Sequence, residues 1–130
     1  MLDSKEKAFF ASIARGAAGL SKCPEGRGAV LVQGRRILAY GCNRRVISDR
    51  DWEISAVYDA MFGSHERDLT GTMLFSTHFP DRHDIKLIVA AGVRYLYFFG
   101  RIVDEIAVEI INRLPMDNIP LEIVKLESEN

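Results

Sequence analysis

Short apolar runs alternate with amphipathic stretches from residue 29 to residue 126, and few folds satisfy that alternation. Residues 29–33 read as a buried strand. Gly34-Arg35 is a tight turn, and residues 36–42 are the returning strand of a hairpin. Beyond the hairpin, strands are predicted over residues 72–77, 94–99 and 121–126, the second of them apolar and aromatic like a sheet centre. Helices are predicted between them. One spans residues 53–62 with Gly63 as its C-cap, one runs from Asp81 or Arg82 to Ala91 and ends at Gly92, and one covers residues 103–113. A first helix precedes the hairpin. Asp3 or Ser4 caps it, Glu6 completes a capping box, and Phe9, Phe10, Ile13, Ala14, Ala17 and Ala18 recur at helical spacing until Gly19 or Gly26.

Strand–helix alternation favours parallel pairing through right-handed crossovers. The expectation is one domain over residues 1–130, a three-layer α/β/α sandwich on a mixed sheet of about five strands. A net charge of -1 supplies no basic field and argues against nucleic acid as a partner. No apolar run approaches the roughly 20 residues of a membrane span, and the polar N-terminus lacks a secretory signal, so a cytoplasmic protein is expected. Cys23 and Cys42, far apart and without a C-x-x-C spacing, are expected as free, buried thiols.

Functional groups in such sheets gather at strand ends and helix N-termini. Two stretches lie there: Asp51-Trp52-Glu53-Ile54-Ser55-Ala56, and residues 76–84 with His78, Asp81, His83 and Asp84. The carboxylates Asp51, Glu53, Asp81 and Asp84 fall at or near two helix starts, where the macrodipole favours negative charge. Crowded together, they repel one another unless a cation sits among them, and at least one pKa is expected to rise.

The pattern resembles the cytidine and deoxycytidylate deaminase superfamily over nearly the whole chain, and the deoxycytidylate branch most. Gly28-Ala29-Val30-Leu31-Val32 matches that family's first strand, Gly41-Cys42-Asn43 its G-x-N, and Glu53-Ile54-Ser55-Ala56 the tail of its H-A-E-x-x-A. Pro80 matches the proline of P-C-x-x-C, and residues 91–97 match the A-G-I-basic run that follows. Cys23-Pro24 resembles the segment before the first strand. The resemblance implies a zinc held by one His and two Cys, an ionised water, and a glutamate that shuttles protons.

Under that alignment Asp51 replaces the His, and Asp81 and Asp84 replace the two Cys, with Glu53 alone retained. Oxygen donors suit hard cations rather than zinc. Three readings of the aspartates follow: helix capping after zinc was lost, a hard divalent site such as Mg²⁺, or a zinc site recovered through His78 or His83. The first is preferred. Zinc is not expected, and Glu53 becomes a vestigial proton shuttle. Asn43 corresponds to the sugar-gripping position and is equally a turn residue. Arg44 and Arg45 are candidates for a phosphate, and Trp52 for filling the pocket or stacking on a base. The loop from Arg44 to Arg50 is far shorter than in the deoxycytidylate branch.

The reading is a pseudoenzyme that keeps a nucleotide- or nucleoside-binding cleft or a partner-binding role, assembled as a homodimer or larger homo-oligomer. Its rival is an active hydrolase that deaminates a cytosine-type nucleotide with a non-standard metal. A third reading is a structural partner of a true deaminase.

Overall fold

Alternation along Gly28–Gln33, the first strand (β1), divides the molecule into two cores. Ala29 and Leu31 point to one face of the sheet, Val30 and Val32 to the other, and all four are fully buried. The computed structural model describes residues 2–45 and 53–127. β1 pairs antiparallel with β2 (Arg36–Cys42) through a bulge between Leu31 and Val32. The main sheet continues with β5 (Met73–Ser76), β6 (Tyr95–Phe98) and β7 (Glu122–Lys125), in the order β2-β1-β5-β6-β7. Two further short strands, β3 (Arg44–Arg45) and β4 (Glu53–Ile54), pair with each other.

The expected five-stranded mixed sheet is present. β1 meets β5 antiparallel, so parallel pairing is confined to β5–β6 and β6–β7. β2 and β5 therefore run the same way, and the helix between them crosses over β1.

Among the described residues four α-helices cover the sheet. On one face α1 (Ser4–Ala18) buries Phe10, Ala11 and Ala14 against Val30, Val32, Phe75 and Tyr97. The expected capping box is made: Glu6 N–H donates to Asp3, and Asp3 N–H to Glu6. On the other face α2 (Ala56–Gly63), α3 (Arg82–Ala91) and α4 (Glu105–Arg113) enclose Leu31, Leu74, Ile85, Ile88 and Leu96. Asp104 caps α4 and also accepts from the backbone N–H and Nε of Arg82, which joins the starts of α3 and α4.

Three helix boundaries differ from the sequence reading. The helix predicted from Glu53 begins at Ala56, because Ser55 Oγ accepts from Tyr58 N–H while Glu53 and Ile54 are drawn into the ladder with Arg44 and Arg45. That helix takes in Gly63, with Ser64 as its C-cap. The helix predicted from Val103 begins at Glu105, after the Asp104 cap.

α2 lies close over the hairpin because residue 41 has no side chain. A Cβ on Gly41 would stand 2.9 Å from the Ala56 carbonyl oxygen and closer still to Ala60 N. Gly41→Ala must push α2 off the sheet and should cost about 2–3 kcal/mol. Urea unfolding measures it, and an unchanged midpoint would show that the contact gives freely.

Candidate functional site

Asn43, at the end of β2, is 3% exposed and ties three segments together. Its Oδ1 accepts from Arg27 N–H at 2.8 Å, and its Nδ2 donates to the Glu25 carbonyl and to Glu53 Oε1, both at 2.7 Å. Its own carbonyl accepts from Ser21 Oγ at 2.7 Å. Both side-chain N–H groups are thus committed. A sugar hydroxyl that accepts from the amide would have to exchange with Glu53 or Glu25, so Asn43 acts first as the clamp that holds the segment around Arg27 beside Glu53.

Across from this clamp lie the starts of α2 and α3. Ser55 Oγ, the N-cap of α2, donates to Asp84 Oδ1 at 2.7 Å. Asp81, the N-cap of α3, accepts from Asp84 N–H at 2.9 Å. The two aspartates thus occupy the N-cap and third position of α3, both favourable for carboxylates. Arg27, Asn43, Glu53 and Ser55 face His78, Asp81 and Asp84 around a cavity of about 240 Å³. A larger cavity of about 650 Å³ adjoins it, sharing Arg27, Asn43 and Glu53 and adding Cys23, Pro24, Glu25 and Arg45.

Two groups in the smaller cavity depart from ordinary titration. Burial raises the Asp84 carboxyl to about 6, with the Asp81 charge adding to it and the Ser55 hydrogen bond opposing it. Burial and the Arg27 charge lower the His78 imidazole to about 4, against the pull of Asp81. His78 Nδ1 lies 3.2 Å from Ser76 Oγ.

Of the residues singled out in the sequence, Asn43, Glu53, His78, Asp81 and Asp84 converge. Glu53 reaches the cleft from β4 rather than from a helix start. His83 is exposed and does not line the cavity. Arg44 turns away: its Nε pairs with Asp59 Oδ1 at 3.0 Å, while Asp59 also receives Cys42 N–H. Asp51, Arg50 and Trp52 lie outside the described residues. Cys42 is an unpromising nucleophile, since burial and the Asp59 charge push its thiol up. Sequence reasoning missed Arg27 and Ser55. Ser55 carried a signal, a hydroxyl immediately before an apolar helical run; Arg27 carried none beyond its place before β1.

Among the described residues no three His, Cys, Asp or Glu side chains are grouped to hold a metal ion. Among the described residues the donors that face the smaller cavity are three carboxylates, hydrogen-bonded to the Ser55 hydroxyl, the Asp84 N–H and the Asn43 amide, plus one imidazole, with neither cysteine present. That set does not fit a soft-metal clasp.

A five-stranded sheet in this order, with three helices on the cleft face, is the cytidine deaminase-like fold. Solved structures bear this out. The chain superposes on dCMP deaminase from the cyanophage S-TIM5 with a TM-score of 0.80 and 22% identity, covering 96% of this chain and 100% of that one. The same enzyme in complex with dCMP and dUMP gives the same score. RibD from Acinetobacter baumannii matches at a TM-score of 0.69 and 19% identity, over 93% of this chain and 35% of the other. A tRNA:A34 deaminase matches at 0.63 and 18%, over 93% of this chain and 99% of the other. No protein-family model and no curated protein sequence matches the chain.

The raised Asp84 fixes the sign of a pH effect. An acid whose folded-state pKa exceeds its unfolded value stabilises the fold fully below about pH 4. It loses that contribution as pH rises through about 6. His78, depressed, acts in the opposite direction and loses its contribution as pH falls from about 6.5 towards 4. Asp84→Asn keeps the acceptor for Ser55 and removes only the first effect. The variant should match the parent near pH 4 and exceed its stability by about 3 kcal/mol above pH 7. Urea unfolding at the two pH values measures this; an offset independent of pH would show that Asp84 does not titrate high.

Proposed function

We propose that this chain is a member of the cytidine/deoxycytidylate deaminase superfamily that binds a pyrimidine nucleotide or nucleoside without zinc-dependent hydrolysis. One observation carries the reading. Asp81 and Asp84, which the sequence resemblance sets in place of the thiolate ligands, are oxygen donors, and each already accepts a hydrogen bond, from Asp84 N–H and from Ser55 Oγ. Attack on an aromatic amidine carbon needs a strongly activated water. Glu53 is held by Asn43, and among the described residues no group of three metal-ligating side chains stands beside it to activate such a water.

The ligand class rests on the fold neighbour solved with dCMP and dUMP and on the two adjoining cavities. Their combined lining suits a small polar ligand: a clamped amide, a carboxylate and Arg27 and Arg45 as cations. Arg27 replaces Arg44 as the residue offered to an anionic group, because Arg44 is taken by Asp59. A hard divalent cation among the carboxylates, assembly as a homodimer or larger homo-oligomer, and a cytoplasmic setting remain parts of this proposal.

Calorimetric titration with dCMP and dUMP, metal analysis and an ammonia assay on the same preparation test it together. The reading expects saturable binding of at least one nucleotide, weakened in Arg27→Glu, with substoichiometric zinc and no ammonia released. Stoichiometric zinc with ammonia release from dCMP that vanishes in Glu53→Gln would establish the rival hydrolase.

A further inference from the structure

The sheet face that carries α1 is only half covered. α1 packs on β1, β2 and β5. β6, β7 and the residues that follow them turn Tyr95, Phe99, Val124 and Leu126 to the same side, each partly buried. Among the described residues no second helix lies over them, whereas three helices cover the opposite face.

The uncovered part is a groove with an apolar floor and a basic rim. A hollow of about 430 Å³ lies between one stripe of α1, with Lys7, Ala8, Ala11 and Arg15, and Phe99 and Leu126. A second, of about 420 Å³, continues from Phe99 and Leu126 to Arg101 and Lys125. Lys7, Arg15, Arg101 and Lys125 have no carboxylate within 4.0 Å among the described residues, although six arginines elsewhere are so paired. Glu127 is the sole acid lining either hollow among the described residues.

We propose that this groove docks an amphipathic helix of a partner protein, its apolar stripe on Phe99 and Leu126 and its flanks acidic. Such a helix, about 10 Å across, would lie beside α1 and complete the layer. Acidic flanks answer the four cations that have no carboxylate partner among the described residues, which is the complementarity that fixes register and orientation. Single-stranded nucleic acid also seeks cations and aromatic rings, but it needs open ring faces. Here the Arg15 guanidinium sits 4.2 Å over Phe99, Lys7 Nζ is 5.5 Å from the Tyr97 ring, and Tyr97 is 3% exposed. The geometry therefore favours the helix. The proposal is independent of the nucleotide cleft, which opens at the starts of α2 and α3.

The test is selection of the full chain against a displayed library of helical peptides, followed by titration of the enriched peptides. Enriched sequences should carry apolar residues at i, i+3 or i+4, and i+7, flanked by Asp and Glu. Amide shifts on binding should centre on Phe99 and Leu126. The double variant Arg101→Glu/Lys125→Glu changes exposed side chains only and should weaken binding about tenfold or more. Ser12→Trp, which fills the groove from the exposed flank of α1, should also weaken it without reversing charge. No enrichment, enrichment of neutral or basic peptides, or binding indifferent to both variants would overturn the proposal. So would an oligo-dT strand that binds the same residues more tightly than any peptide.

Discussion

The hydrogen bond from Ser55 Oγ to Asp84 Oδ1 holds the start of α2 against the start of α3, and the cleft depends on it. Both groups are doubly used. Ser55 also caps its own helix through Tyr58 N–H, and the backbone of Asp84 is gripped by Asp81. Removing the Ser55 hydroxyl would leave the buried Asp84 carboxyl without that donor, which costs more than the bond itself contributes. The same economy appears opposite, where Asn43 binds Arg27, Glu25 and Glu53 at once. Two small polar knots, one on each wall, keep the cavity open between them.

The start of α3 shows how protein groups accommodate two neighbouring carboxylates. Carboxylates at a helix start are neutralised in part by the macrodipole and by free N–H groups. Asp81 and Asp84 exploit both, and the residual cost appears as the raised titration of Asp84. Among the described residues, Arg27 and Arg45 are the arginines that line the two cavities. The fold supplies the position, and the side chains at the two helix starts set what chemistry is available there.

Much of this was legible in the sequence. The apolar period of residues 29–33, the Gly34 turn and the Gly92 cap located the hairpin and α3 within a residue or two, because turn and cap chemistry are local. The start of α2 was not, since the contest between Glu53 and Ser55 is decided by the pairing of Arg44–Arg45 with Glu53–Ile54, a contact between loops. Antiparallel pairing of β1 with β5 was hidden for a similar reason: strand order is a tertiary choice. The cleft residues Asn43, Glu53, Asp81 and Asp84 were found through motif position. Arg27 was not, because its role comes only from the Asn43 clamp that holds its backbone at the cavity edge.

The central claim is that Asp81 and Asp84 accept hydrogen bonds from protein donors and do not ligate zinc. Carboxyl ¹³C NMR titration of the intact chain, with and without equimolar Zn²⁺, tests it most directly. The account predicts that Asp84 titrates near 6 and that zinc leaves the Asp81 and Asp84 resonances and their pH dependence unchanged. Zinc that shifts both resonances and abolishes the Asp84 titration would contradict it.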